Sequence, residues 1–403
     1  MHKSIGCAGT ALLESGNRGL ASFGIRMATI VMALVVPGCG AEPPAGGTGG
    51  DASETSGGDA AIRLVQEMRI DGNEADLVPI HTIAVDRRGI IAVAQRQDHA
   101  VKFFDPDGVL LGAIGRAGEG PGEFADVTRL NWVADTLAII DASLRRVTLV
   151  DSTRTFVRTV IAPGSSRADP ADPENKPSFT DALPLAWYAN GSFVTYAWGA
   201  GRDGIVRVSP SGVTQQVLTV LSDVSQSIRV GGSVVSHPFP SSPRMAVSPH
   251  GDIIVIARAT IDDPNREVIQ LTAMTAFGDT VYSREYPFSG EPIPQSHADS
   301  VVKARTARLS PELAAAVRNA PLPRVFPPLA NIFVAHGGAV WVQFRDRDAG
   351  RPYWLVDAAG EPIGEIVLNT NQTAATATTT HVWMLERDEN DVQSIARYRI
   401  ERR

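Results

Sequence analysis

The sequence predicts an all-β fold made of six similar units arranged in a ring. From residue 62 onward, short runs of β-branched and other apolar residues alternate with turns, as expected of strands. The 37 glycines and 27 prolines favour many turns over long helices. One pattern of successive strands and short turns recurs six times, and most of these turns contain glycine. Such a repeat indicates a six-bladed β-propeller.

The six copies share one order of strands and turns. They span residues 81–114, 129–160, 185–220, 244–286, 331–368 and 375–400. In the first copy the predicted strands are 82–85, 90–94, 100–104 and 109–114. The sixth copy supplies only three strands, whereas the run AIRLVQEMRI (61–70) precedes the first copy without a partner. We therefore expect residues 61–70 to complete the sixth blade, because closure of the ring protects the edges of its sheets.

Residues 288–323 do not follow the repeat. They lie between copies four and five, and two of their segments, 297–309 and 310–320, have a helical composition. Ser310, Pro311 and Glu312 form a typical helix start. We expect a short helical insertion, packed on the outside or on one face of a propeller domain that comprises residues 61–403.

The first 60 residues differ from the rest of the chain. The apolar run MATIVMALVV (27–36) is too short to span a membrane and is typical of the central region of a signal peptide. Cys39 follows Gly38 as in a bacterial lipobox, although Pro37 departs from that pattern. We expect a signal peptide at 1–38, lipidation of Cys39, and a flexible tether rich in Gly, Ser and acidic residues through residue 60. The alternative is an ordinary secretory signal with an incidental cysteine.

The glycine-rich stretch GRAGEGPGEF (115–124) has the composition of a phosphate-binding loop. A dinucleotide loop, however, has the spacing G-x-G-x-x-G and leads into a helix, and a P-loop contains Lys followed by Ser or Thr. Here the spacing differs, no such lysine follows, and the next predicted element is a strand. We interpret the stretch as a crossover between two blades.

The stretch FDPDGVLLGAIGRAGEGPGEF and the strand after it resemble the NHL-type repeat of six-bladed propellers. Copies four to six, with the helical insertion between copies four and five, resemble a family of bacterial six-bladed β-propeller lipoproteins without a settled function. The resemblance covers most of residues 62–403, and copy three matches least well. It implies the propeller fold but leaves the function open, because propellers serve as binding modules, scaffolds, lactonases and lyases.

Aligning the copies places four residues with useful chemistry near the start of the innermost strands, where they would face the central channel. These residues are His81, Arg129, Arg244 and Asn331. The strand starts contain one nearby acid, Asp126, whereas calcium requires several carboxylates. The histidines are scattered among the copies and do not form a zinc-ligand motif. We therefore expect no cofactor and no metal, with calcium or zinc as the less favoured options.

Other histidines and aromatic residues are interpreted as structural. His250 and His336 occupy matching first turns and are expected to be exposed turn residues. Trp341 and Trp383 occupy matching second strands and are expected in the core. Copy three contains a less regular aromatic group, for which a sugar-stacking surface is the alternative to core packing. That group consists of Trp187, Tyr188, Tyr196 and Trp198.

Two classes of function remain open. The net charge of −7 and the absence of a basic cluster after the N-terminus argue against nucleic-acid binding. The favoured class is an exported, membrane-anchored and monomeric binding or scaffold module for a peptide, glycan or protein. A propeller hydrolase or lyase, of the lactonase or amidating type, is the alternative. The predicted channel residues include no evident base–nucleophile pair, so the sequence favours binding over catalysis.

Overall fold

The structure, a computed structural model, describes residues 62–402 except for 78, 162–182, 198–202, 222–226, 262 and 264–265. The described strands form six four-stranded antiparallel sheets and one separate two-stranded hairpin. The six sheets are the blades of a β-propeller, which confirms the predicted fold class. The predicted signal peptide, Cys39 and tether lie outside the described residues.

The first strand in the chain, β1 (Ile62–Ile70), belongs to the last blade. Blade 1 consists of β2 (Ile80–Val85), β3 (Ile91–Gln95), β4 (Ala100–Phe104) and β5 (Leu110–Ile114). Blade 2 consists of β6 (Val127–Val133), β7 (Thr136–Asp141), β8 (Arg146–Val150) and β9 (Phe156–Ile161). Blade 3 consists of β10 (Pro184–Trp187), β11 (Phe193–Ala197), β12 (Asp203–Val208) and β13 (Thr214–Leu221).

A hairpin follows blade 3 and is formed by β14 (Ser227–Val230) and β15 (Ser233–Ser236). Blade 4 consists of β16 (Arg244–Val247), β17 (Ile253–Thr260), β18 (Val268–Thr275) and β19 (Thr280–Pro287). Blade 5 consists of β20 (Leu329–Val334), β21 (Val340–Phe344), β22 (Arg351–Val356) and β23 (Pro362–Leu368). Blade 6 consists of β24 (Gln372–Ala377), β25 (His381–Arg387), β26 (Gln393–Arg402) and β1.

The first strand closes the ring, as the sequence predicts. β1 runs antiparallel to β26, from Ile62 opposite Arg402 to Ile70 opposite Ile395. One bulge interrupts this register, between Gln66 and Met68. The outer edge of β26 is therefore paired along the length of β1, and the two ends of the propeller are joined by a backbone hydrogen-bond ladder.

The strand directions give the ring two unequal faces. In every blade the innermost strand starts on the face that carries the crossovers between blades, which we call the upper face. It ends at a short first turn on the opposite, lower face. The long connections in the described part of the chain therefore lie on the upper face, including the segments 115–126, 227–243 and 288–328. Functional variation in propellers is expected where such connections lie.

The core consists of apolar clusters between adjacent blades. Each of the six blade interfaces contains one such cluster of buried side chains in the described residues. Trp341 lies in the cluster between blades 5 and 6, and Trp383 lies in the cluster between blades 6 and 1. They are 2% and 3% exposed, so their expected role in core packing is confirmed.

Two helices and the β14–β15 hairpin extend the upper face. The helices α1 (Gln295–Thr306) and α2 (Pro311–Asn319) occupy the predicted insertion, and the Ser310 Oγ accepts a hydrogen bond from Leu313 N at the start of α2. The hairpin was not predicted, and α2 packs against β14. The sequence signal for the hairpin is Gly231-Gly232 between two β-branched runs, which is typical of a two-residue hairpin turn.

Candidate functional site

The innermost strands share a local irregularity near the upper face. In five of the six blades a bulge interrupts the pairing between the innermost strand and its neighbour. The residues at these bulges are His81, Thr128, Leu185, Ala330 and Ala375. Bulges redirect side chains and are frequent near functional sites, so the upper part of the channel wall is a natural place for a ligand site.

The four predicted site residues all lie on this upper part of the innermost strands. His81 is the bulge residue of β2 and is exposed, and Asn331 follows the bulge of β20 and is also exposed. Arg129 follows the bulge of β6 and is partly buried. Arg244 is the first residue of β16, and its Nε donates a hydrogen bond to Leu329 O at 3.2 Å.

The contacts join only part of this set directly. The bond from Arg244 reaches β20 two residues before Asn331, which links blades 4 and 5 at the channel wall. His81 and Arg129 lie on adjacent innermost strands of blades 1 and 2. The structure describes no direct hydrogen bond between these two side chains. The predicted residues thus lie on the innermost strands of blades 1, 2, 4 and 5, and the two arginines are on blades 2 and 4.

The guanidinium of Arg129 is desolvated without a compensating charge. Burial lowers the pKa of Arg129, and no carboxylate of the described residues opposes this effect. Within the described residues, neither Arg129 nor Arg244 pairs with an acid. The nearby acid Asp126 is instead bonded to Arg96. A partly buried cation without a counter-charge is costly, and an anionic ligand would offset that cost.

Sequence reasoning missed a further, partly buried cation in blade 4. Arg258 lies on β17, one residue after the position that pairs with Arg244, and burial lowers its pKa. Its side chain donates a hydrogen bond to Val220 O at 3.3 Å, so it points towards blade 3. The signal for this residue was a lone arginine at the end of the apolar run IIVIA.

Side chains cross the lower end of the channel. Arg87, in the first turn of blade 1, lies with its Nε 3.4 Å from His250 Nε2 in the first turn of blade 4. Blades 1 and 4 are opposite each other in the ring, so this contact spans the channel. The Asn131 side chain of blade 2 donates to Pro249 O at 2.9 Å and accepts from Trp187 N at 2.8 Å. Together these contacts link blades 1, 2, 3 and 4 at the lower end.

The expectation that His250 and His336 are exposed turn residues is wrong. Both are partly buried, and His336 Nδ1 lies 3.2 Å from His250 Nε2. Burial, with the neighbouring His250 and Arg87 charges, lowers the pKa of His336 to about 4. His336 is therefore neutral near pH 7. The two first turns meet because ring closure brings blades 4, 5 and 1 around one narrow opening.

The aromatic group of copy three does not form a sugar-stacking surface with its described members. Trp187 is 2% exposed and stacks on Phe193 with ring centroids 5.7 Å apart. The Tyr188 hydroxyl donates to Gly251 O at 2.7 Å. Trp198 lies outside the described residues. Core packing accounts for Trp187, because its ring fills the interface between blades 2 and 3.

The glycine-rich crossover is a rigid connection whose polar groups are already engaged. Gly120 N donates to the Glu123 carboxylate at 2.7 Å, and the Arg146 guanidinium donates to Glu119 O at 2.6 Å and to Gly120 O at 3.0 Å. Phe124 is fully buried in the core between blades 1 and 2. The loop thus connects two blades, which agrees with the interpretation from sequence.

The described residues contain neither a cluster of metal ligands nor a membrane-spanning helix. No group of three or more His, Cys, Asp and Glu side chains converges there in a way that could hold a metal ion. No helix in the described part of the chain has the length and apolar character required to cross a membrane.

No protein-family model matches the chain, and no curated protein matches it by sequence. Among solved structures, it is similar to a Bacteroides fragilis protein described as exported, at 12% identity over 84% of this chain and 95% of that chain, with a TM-score of 0.47. A DUF4221 family member from Bacteroides vulgatus shows 9% identity over 85% and 98%, with a TM-score of 0.48. Virginiamycin B lyase from Staphylococcus aureus shows 12% identity over 86% and 88%, with a TM-score of 0.36. At these values the similarities do not identify a ligand or an activity.

Proposed function

We propose that this protein is an exported binding module that holds an anionic group of a peptide, glycan or protein partner in the upper part of its central channel. The observation that carries the proposal is the partly buried guanidinium of Arg129, which has no acidic partner among the described residues. Arginine presents several donors in a planar fork that matches a carboxylate or a phosphate. The contacts across the lower end leave the upper face as the side from which a partner enters.

The other predicted channel residues complete this site without forming catalytic machinery. Arg244 adds a second cation, and the exposed side chains of His81 and Asn331 add hydrogen-bonding groups. A hydrolase or lyase would require an acid–base pair or a metal-ligand cluster aimed at one reacting atom. Binding requires only the donors and the shape. The proposal therefore includes neither a resident metal nor a reaction.

Titration calorimetry at constant ionic strength tests the proposal. The probes are citrate, as a carboxylate, and sulfate, as a tetrahedral anion. We expect at least one of them to bind saturably, and Arg129→Gln to weaken its binding by about tenfold or more. Arg158→Gln, on the exposed outer strand of blade 2, is the matched control and retains binding. If neither anion binds, or if Arg129→Gln binds as the parent does, the channel is not an anion site.

The proposal also places the protein at the cell envelope, held by a lipid on Cys39. This part rests on the N-terminal sequence alone. Membrane fractionation and labelling with a radioactive fatty acid compare the parent with Cys39→Ala. The parent is expected in the membrane fraction with the label, and the variant unlabelled and released from it. A variant that fractionates as the parent does would contradict the anchor.

A further inference from the structure

A cavity lies between blades 4 and 5, away from the channel residues described above. Its volume is about 490 Å³, within the range of roughly 300–1,000 Å³ that small-molecule sites occupy. The ends of β18 and β19, the segments 288–291 and 326–328, and the strands β21–β23 form its walls. Because β19 and β23 are the outermost strands of their blades, this blade 4–5 cleft opens towards the periphery of the ring.

Aromatic side chains form much of the wall of the cleft. Five partly buried rings contribute, those of Tyr286, Phe288, Phe326, Phe344 and Trp354. The rings of Tyr286 and Trp354 pack edge to face, with centroids 4.6 Å apart and an interplanar angle of 73°. The Tyr286 hydroxyl donates to Gly360 O at 2.5 Å, which fixes this ring in place. The aromatic wall is therefore organised before any ligand binds.

The side of the cleft formed by the segments 288–291 and 326–328 is also held in position. The two arms of the helical insertion pair with each other, because Phe326 N donates to Glu291 O at 2.9 Å and Ile293 N donates to Arg324 O at 2.9 Å. The Arg345 guanidinium lies 3.8 Å from the centre of the Phe326 ring and bonds to the Glu291 carboxylate at 3.2 Å. Proline residues at 287, 327, 328, 352 and 362 restrict the backbone around the cleft further.

Unpaired polar groups accompany the aromatic rings. Arg347 and Glu365 both line the cleft and are exposed, and neither side chain has a partner among the described residues. The indole N–H of Trp354 likewise makes no hydrogen bond within the described part of the chain. The cleft thus offers free donors and a free acceptor beside apolar ring faces. Its four charged residues, two arginines and two glutamates, balance to zero.

We propose that the blade 4–5 cleft binds a neutral carbohydrate. A sugar ring has an apolar C–H face that packs on an aromatic ring, and hydroxyl groups that both donate and accept hydrogen bonds. It therefore uses the aromatic wall, the donors of Arg347 and Trp354, and the acceptor of Glu365 together. A purely apolar ligand would desolvate Arg347 and Glu365 without replacing their hydrogen bonds to water. A ligand with a large net charge would gain little from a cleft whose own charges cancel.

The experiment measures binding of neutral tetrasaccharides to the full-length protein by ligand-observed NMR and by tryptophan fluorescence. The probes are cellotetraose, chitotetraose and maltotetraose. We expect at least one to bind saturably, and both Trp354→Ala and Arg347→Ala to weaken that binding by about tenfold or more. Trp354→Phe keeps an aromatic face, so it retains part of the affinity. Arg129→Gln leaves this binding unchanged, which separates the cleft from the channel.

Controls distinguish a site from a general loss of structure. Phe156→Ala and Arg158→Ala remove an exposed ring and an exposed cation from blade 2, and neither changes saccharide binding. Arg347 is exposed, so its replacement leaves the unfolding temperature unchanged, and a loss of binding in that variant reports on the site. The proposal is overturned if no tetrasaccharide binds or if Arg347→Ala binds normally. It is also overturned if the apolar dye N-phenyl-1-naphthylamine occupies the cleft and no sugar displaces it.

Discussion

Replacement of Ile70 by alanine tests how the ring is closed. Ile70 is the last residue of β1, pairs with Ile395 of β26 and is 3% exposed. It packs in the cluster between blades 6 and 1, which also contains Leu77, Ile80 and Trp383. The side chain therefore connects the N-terminal strand to both the last blade and the first. If β1 did not close the ring, Ile70 would have no such surroundings.

The expected loss follows from this burial. Truncation of a fully buried isoleucine to alanine removes its transfer free energy and leaves a cavity, which together cost about 2–5 kcal/mol. The Ile70 side chain is closely packed: a Cβ added at the neighbouring Gly108 would lie only 3.1 Å from it. This close packing favours the upper part of that range. Equilibrium unfolding in urea measures the difference, with the midpoint and the slope compared between variants.

The matched control is Val281→Ala on the exposed outer strand of blade 4. Val281 is 47% exposed, so its truncation changes the free energy of unfolding by less than about 0.5 kcal/mol. The closure of the ring by β1 would be refuted if Ile70→Ala unfolded at the same urea concentration as this control. A lower midpoint with an unchanged slope is the predicted outcome.

Three further predictions concern the lower end, the crossover and the channel. Burial lowers the pKa of His336 to about 4, from 6.5 in an unfolded chain, so its contribution to stability is complete above pH 6.5 and is lost as the pH falls towards 4. Because the ring is partly exposed, we expect this loss to be about 1–2 kcal/mol, and a urea series over that pH range should show a smaller loss in His336→Gln. Gly115→Ala places a Cβ against the Phe124 ring at a backbone φ of +101°, so it should destabilise the protein by about 2 kcal/mol or more. Gly232 has open space around it, so Gly232→Ala should not destabilise the protein, and equal melting temperatures of the two variants would contradict this prediction. Arg129→Met removes an uncompensated cation and should raise the melting temperature without ligand, and a decrease would indicate an acidic partner for Arg129.

The repeat made the blades and their closure predictable. Strands of period two and turns with glycine recur at similar spacing, so the alignment of copies placed the innermost strands and, with them, Arg129 and Arg244. The unpartnered run at 61–70 and the three-stranded sixth copy together indicated that β1 pairs with β26. Each of these inferences needs only local pattern and the requirement that sheet edges be paired.

Contacts between distant copies could not be predicted in the same way. The contacts of His250 with His336 and Arg87 depend on how closely the first turns of different blades approach one another. A local sequence pattern does not predict this distance. The desolvation of Arg129 likewise depends on the neighbouring blades. The blade 4–5 cleft includes segments 288–291 and 326–328, which belong to a connection that the other copies lack, so the repeat gave no indication of it.

The anion site at Arg129 is tested most directly by locating an anion in the crystal. Crystals of the parent and of Arg129→Gln are soaked in selenate, whose anomalous scattering identifies the ion. We predict an anomalous peak within hydrogen-bond distance of the Arg129 guanidinium in the parent, and its loss in the variant. A parent crystal with no peak in the upper channel, or the same peak in both crystals, would contradict the proposed function.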